Sequence, residues 1–348
     1  LALVALVLTG GLLYADHYLT GKMTTDDDFD SLSASDLHQT ATEADGRLER
    51  EERFSEALSG LEEQLADLPS FTEVDRYLLS NNDIPAEALA KLDSGKAPRS
   101  SYLSSDASRI QVFVLFGLDG VDSSDSVMLV ALDRVHQKIK LISLARDSYV
   151  FIPEFASFSK LAYSYTWGGA AMAVKNLNYN YYLNVSDYIA VDFDQLAQII
   201  DRIGGVTVNI DEDEARYLSG YPNVHVGDCL LDGETAVSYA RIRKSSATDS
   251  DRKRTGRQRE VILSILNTLQ TMPLSQYPGF VRDCLGMCAT SFEAETLLTM
   301  AAETLGQNYT VEQYFFPEGQ VEWWGGLIKE YFYYVYDLRR ASDRIYRI

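Results

Sequence analysis

The chain has 348 residues, with 51 Asp or Glu against 31 Lys or Arg and a formal net charge of -20. Hydrophobic residues make up 46%, enough for a sizeable core in one large domain, with or without a smaller accessory region. So negative a balance excludes general nucleic-acid binding, which needs a broad positive surface, and four His leave little room for His-based catalysis.

The opening "LALVALVLTGGLLY" carries no charge before Asp16. It is shorter than the roughly 20 residues a helix needs to cross a bilayer. Because the chain starts at Leu, it reads as the end of a longer span. The acidic flank "DHYLTGKMTTDDDFD" suits the non-cytoplasmic side. The expectation is a single-pass N-terminal anchor ending in residues 1–15, with everything after it outside. A cleaved signal peptide and a buried core helix are the alternatives. Residues 16–107 read as an acidic, partly helical spacer, with Phe54, Leu58, Leu61, Leu65 and Leu68 on one helical face and "DSGKAPRSS" as a linker.

From Ile110 the texture changes. "IQVFVLFGLDG", "SVMLVALD" and "KIKLISLARD" predict strands of a buried sheet. "GGAAMAVKNLNYNYYL" predicts a helix after its glycines, and "SDYIAVDF" a strand. "DQLAQIIDRIGG" predicts a helix started by Asp194 and stopped by Gly204. "VTVNI" is a strand, Asp232 caps "DGETAVSYAR", and "GRQREVILSILNTLQ" is an amphipathic helix. The tail alternates again: helix "FEAETLLTMAAETL", strands "YTVEQYFF" and "YFYYVYD", and a last basic helix. Residues 108–348 thus predict one α/β domain, a central mixed β-sheet flanked by helices. Cys229, Cys284 and Cys288 make no metal framework; Cys284 and Cys288 either pair with each other or are buried thiols.

Three clusters hold residues suited to chemistry. In "GLDGVDSSDS", Asp119 leaves one strand and Asp125 begins the next. Two carboxylates at neighbouring strand ends suit Mg²⁺, which takes one or two carboxylates plus phosphate oxygens and water. A turn rich in Asp and Ser is the plainer reading. In "SLARDSYVFIP", Arg146 and Asp147 follow an apolar strand, where open α/β sheets build sites, although an exposed Arg fits as well. Lys160 adds a cation. Tyr163, Tyr165 and Trp167 alternate, as residues lining a groove wall or packing in a core would. The third cluster, "YARIRKSSATDSDRKRTGRQRE", gathers eight Lys and Arg in an acidic chain. Arg241 and Arg243 point the same way if extended; Asp251, Arg254 and Arg257 share a helical face, followed by Gln258. Several guanidinium forks together would hold a diphosphate; a solvated basic face is the alternative.

These clusters, in this order, resemble the LytR-CpsA-Psr family of cell-wall glycopolymer ligases. The matching stretches run from "VLFGLDG" through "KLAYSYTWGG" and "LAQIIDRIGGVTVNI" to the arginine-rich segment, about residues 110–270. The resemblance implies a membrane-anchored, extracytoplasmic, Mg²⁺-dependent phosphotransferase. Its donor would be a glycopolymer (teichoic acid, capsule or similar) on undecaprenyl diphosphate, and its acceptor peptidoglycan. By the same resemblance Asp119 and Asp125 are metal-associated. Arg146, Arg241, Arg243 and Gln258 match diphosphate-binding positions, with Arg254 and Arg257 in the same motif, and Lys160 is counted with them as the added cation. Arg146 and Asp251 are the catalytic candidates. A polyprenyl-diphosphate hydrolase and a non-catalytic prenyl-lipid-binding envelope protein are the rival readings.

Overall fold

A computed structural model describes residues 110–119, 124–152, 157–183, 185–243, 247–272, 280, 287–292, 296, 300, 309–319, 321–328 and 331–348. The expected anchor and spacer, the helix expected in "FEAETLLTMAAETL" for the most part, and Cys284 lie outside these residues. Among the described residues no helix is long and apolar enough to cross a membrane.

In chain order the strands are β1 (Ile110–Leu118), β2 (Ser124–Asp133), β3 (Lys138–Leu144), β4 (Tyr149–Ile152) and β5 (Ser157–Lys160). Helix α1 (Tyr163–Tyr181) leads to β6 (Tyr188–Asp192), α2 (Phe193–Arg202), β7 (Val206–Ile210), α3 (Glu212–Tyr217) and β8 (Gly227–Leu231). Then come α4 (Gly233–Ala240), α5 (Ala247–Thr271), β9 (Ala289–Thr290), β10 (Thr310–Phe316), β11 (Trp323–Ile328), β12 (Tyr331–Tyr336) and α6 (Leu338–Arg347). Six strands form the central sheet in the order β10-β3-β2-β1-β6-β9. It is mixed: β1 runs parallel to β6 and β10 to β3, while β2 is antiparallel to both its neighbours. The central mixed sheet with helices agrees with the expected fold class.

The apolar runs follow from burial on both faces. Along β1 and β2, Phe113, Met128 and Val130 face a core shared with α2, α4, α5 and the β7–β8 hairpin. Val114, Phe116 and Leu129 face a second core filled by α1, β12 and α6. Among the described residues β7 and β8 pair only with each other, so "VTVNI" is a covering hairpin rather than a central strand.

Local chemistry moves two expected boundaries. The N-cap of α2 is Asp192, not Asp194: Asp192 accepts from the Gln195 amide while the Gln195 side chain accepts from the Asp192 amide. This reciprocal box satisfies two end groups, so the helix starts at Phe193. α1 begins before the glycines, at Tyr163, and bends where Gly169 takes φ 64°, a left-handed conformation that favours glycine. Tyr163, Tyr165 and Trp167 are therefore helical, and alternate residues do not share a face. Tyr165 is buried against Phe116, whereas Tyr163 packs on Trp167 one turn away. Of the two readings of this alternation, core packing therefore holds for Tyr165, and the three rings do not line up as a groove wall.

The β2–β3 turn holds a buried carboxylate. Asp133 accepts from the Val135 and His136 amides and from Lys140 Nζ, and lies 2.8 Å from His136 Nδ1. Burial alone would raise it, but the His136 backbone and side chain, then Lys140, outweigh that and lower it to about 2. A carboxylate lowered on folding stabilises above its unfolded pKa, and that contribution is lost as pH falls through the folded one. The stability measured by urea unfolding therefore declines from near pH 3.8 toward pH 2. Asp133→Asn flattens that part of the profile; an unchanged slope would remove Asp133 from the account.

Candidate active site at the strand ends

The parallel pairs β1/β6 and β3/β10 bring four strand C-termini to one edge, where open α/β sheets place ligands. Leu118 pairs with both Ser124 and Asp192, and Leu144 with Phe316, so Asp119, Asp125, Phe193, Ala145 and Arg146 gather there. Gly117 pairs with Ser126 and Leu118 with Ser124, leaving Asp125 as the extra residue of a bulge. The Ser124 hydroxyl spans the bulge to the Ser126 carbonyl at 2.9 Å. A bulge breaks the alternation of side chains and re-aims the extra one. Here it directs a carboxylate, 7% exposed, into a set of arginines.

Asp125 Oδ1 takes three guanidinium contacts. Arg146 Nη1 donates to it, Arg243 Nη2 lies at 3.3 Å and Arg254 Nη1 at 3.8 Å. The three are graded in depth, with side-chain exposures of 2% for Arg254, 20% for Arg146 and 52% for Arg243. Lys160 is joined through a second carboxylate: its Nζ is 2.7 Å from Asp147 Oδ1, and Arg146 Nε is 3.7 Å from Asp147 Oδ2. Four cations thus share the carboxylates of Asp125 and Asp147, and the cluster keeps a positive excess in an otherwise acidic chain.

The Arg146 backbone is held on several sides. Ala145 N donates to the Phe316 carbonyl, Ala162 N to the Arg146 carbonyl, and Tyr334 N to the Asp147 carbonyl. Below it, the Ser148 hydroxyl donates to the Ala145 carbonyl and meets Tyr336 OH at 2.8 Å, which in turn meets Tyr181 OH. Burial pushes the Tyr181 phenol up to about 12, so this chain stays protonated and neutral at physiological pH. A side chain set on so constrained a turn is pre-organised.

The remaining sequence candidates divide. Arg241 ends α4 in a helical conformation instead of lying extended, and its guanidinium sits 4.5 Å above the Phe193 ring. It is at the same sheet edge, held by cation–π contact and exposed. Close packing places α4: a Cβ on Gly233 would meet the Ala197 carbonyl oxygen at 2.1 Å. Gln258 lies one turn beyond Arg254 on α5, 9% exposed, and its Oε1 has no hydrogen-bond partner among the described residues. Arg257 faces elsewhere: Nε donates to Glu214 at 2.7 Å and Nη1 to the Ile242 carbonyl at 2.9 Å. The expected shared face of Arg254 and Arg257 is thus split between the Asp125 site and a buried ion pair. Asp251 is in the same helix, in the turn before Arg254. Phe193 and Glu214 escaped the sequence reading, since neither a lone Phe nor one Glu within "DEDEAR" announces a role.

Asp119 and Asp125 fit a hard cation in one respect, standing on adjacent strand ends with oxygen donors. With Asp125 Oδ1 already facing guanidinia, a metal there would draw its remaining ligands from a bound anion and water. Among the described residues no group of three or more His, Cys, Asp or Glu forms a cage.

Residues 86–345 match the profile of the LytR_cpsA_psr family. The chain belongs to that family. Among its LytR_cpsA_psr relatives is a protein of Oceanobacillus iheyensis named polyisoprenyl-teichoic acid–peptidoglycan teichoic acid transferase TagU. The two are 29% identical over 267 residues, 73% of this chain and 79% of the relative. Among solved structures, TagT bound to LI-WTA is 20% identical with a TM-score of 0.57, covering 73% of this chain and 94% of TagT. The family protein TagT with bound octaprenyl pyrophosphate lipid is 18% identical, with a TM-score of 0.54 and the same coverage, 73% and 94%. TagT is a Bacillus subtilis protein. At these identities the structural likeness carries the fold.

Proposed function

We propose that this LytR_cpsA_psr protein is a Mg²⁺-dependent phosphotransferase anchored in the cell membrane with its domain outside. It moves an anionic glycopolymer, a teichoic acid, capsular polysaccharide or similar, from undecaprenyl diphosphate to peptidoglycan. The carrying observation is a buried carboxylate surrounded by Arg146, Arg243 and Arg254 where four strands end. The name of the TagU relative and the octaprenyl pyrophosphate bound by TagT support the same donor and acceptor classes.

In this reading a diphosphate enters among the arginines and takes over their contacts with Asp125. Arg254 sits at the base, Arg146 in the middle and Arg243 at the rim, with Lys160, Arg241 and Gln258 as further donors. An acceptor hydroxyl oxygen attacks the sugar-side phosphorus. A new P–O bond forms, the bridging P–O bond breaks, and its electron pair leaves on undecaprenyl phosphate. Arg146, rigidly held, stabilises the charge that grows on that leaving phosphate. Asp251 is the candidate to receive the hydroxyl proton. Mg²⁺, when bound at Asp119 and Asp125, would offset phosphate charge. Turnover of a short-chain prenyl-diphosphate sugar with wall glycan is therefore lost on chelation and restored by Mg²⁺. Undiminished turnover in chelator would contradict the metal assignment.

A further inference from the structure

We infer that Glu214 is a positioning residue for the phosphate-binding arginines, acting through Arg257 on the main chain between Arg241 and Arg243. This rests on the diphosphate reading above. Glu214 is 7% exposed at the start of α3, and its two oxygens have separate duties. Oε2 accepts from the Asp211 amide at 2.9 Å, closing the cap of its own helix. Oε1 accepts from Arg257 Nε at 2.7 Å. Arg257, 4% exposed, uses a second donor, Nη1, on the Ile242 carbonyl at 2.9 Å. Its guanidinium lies 6.0 Å from the centre of the Tyr239 ring, and the Tyr239 hydroxyl donates to Glu260.

One guanidinium therefore ties α3 and α5 to the segment that follows α4. Ile242 is flanked by Arg241, set on Phe193, and Arg243, which reaches Asp125. Arg254, on the preceding turn of α5, reaches the same carboxylate. The Glu214–Arg257 pair fixes how α5 and the Arg241–Arg243 segment sit relative to each other, and so how their arginines converge. A buried ion pair is seldom the most stabilising filling for its space. A pair whose second arm grips the backbone between two site arginines contributes geometry.

The test is binding of geranyl diphosphate with Mg²⁺ to the full chain, by calorimetry, with folding checked by circular dichroism. Glu214→Gln keeps the size and a carbonyl oxygen but removes the charge opposite Arg257. Its dissociation constant rises about tenfold, and in an Arg243→Ala background the same change costs less than about twofold. Arg216→Ala, which removes an exposed partner of Asp213 on the same helix, leaves binding unchanged. Should Glu214→Gln not fold, Arg257→Lys keeps the charge while losing the fork, and the same tenfold weakening is expected. A folded variant that binds like the wild type, or that loses the same factor in both backgrounds, would overturn the inference. A wild-type chain that does not bind geranyl diphosphate would overturn the diphosphate reading and the inference with it.

Discussion

Arg146→Ala lowers turnover of a prenyl-diphosphate sugar by about 10²–10³-fold while the chain stays folded, the usual cost of removing one pre-organised donor to developing charge. The size follows from how the residue is held. The backbone amides and carbonyls from 145 to 148 are tied to Phe316, Ala162 and Tyr334, with the buried Tyr181–Tyr336–Ser148 hydroxyls beneath. Among the described residues no other arginine stands where this one does: Arg254 is deeper and Arg243 is at the rim. Arg146→Lys recovers only part of the rate, because an ammonium is a point charge without the planar fork. Steady-state kinetics and a melting curve on the same preparations check this. An Arg146→Ala enzyme within a few-fold of wild type would place the chemistry elsewhere.

Asp125→Ala has the second large effect, and it is double. It leaves Arg254, 2% exposed, without the carboxylate at 3.8 Å, and removes the acceptor of Arg146 Nη1, whose Nε stays 3.7 Å from Asp147. Removing one partner of a buried pair costs at most about 3–5 kcal/mol, when the other charge is left uncompensated, so the variant melts lower and its turnover falls as Arg146 and Arg254 lose this shared anchor. The same logic predicts a rescue. Inorganic pyrophosphate, entering the vacated counter-charge position, raises the melting temperature of Asp125→Ala more than that of the wild type. Equal shifts in both proteins would mean that Asp125 does not compete with a diphosphate for these arginines.

The sheet was legible because it is buried on both faces. Residues such as Val127 to Leu132 fill two cores at once and appear as unbroken apolar runs. The strand-end positions of Asp119 and Arg146 were legible because charge placed directly after such a run marks a strand end, whereas the arginine-rich stretch stood out by its charge in an acidic chain. Geometry that depends on distant partners was not. That Asp125 is a bulge residue depends on its register with Gly117 and Leu118, which "SSDS" does not encode. Arg241 and Arg243 look equivalent in "ARIRK", yet the last turn of α4 carries the first to Phe193 and releases the second toward Asp125. "YSYTW" alternates like a strand but is helical, its inner ring taken up by Phe116. Arg257 reads as one of a row of site cations, and only the folded structure, which brings it within 2.7 Å of Glu214 on α3, reveals its partner.

The most direct test of the central claim follows both phosphorus atoms. The full chain, Mg²⁺, a short-chain prenyl-diphosphate sugar and wall glycan are combined in ¹⁸O-water, and the products are read by mass spectrometry. A transferase yields a phosphodiester joining sugar and glycan, free prenyl phosphate, and no ¹⁸O in either, and this is the expected result. Heavy oxygen in a free sugar phosphate, with no adduct on the glycan, would make the protein a hydrolase. Bound lipid that is never cleaved would leave a carrier-binding protein without the transfer chemistry.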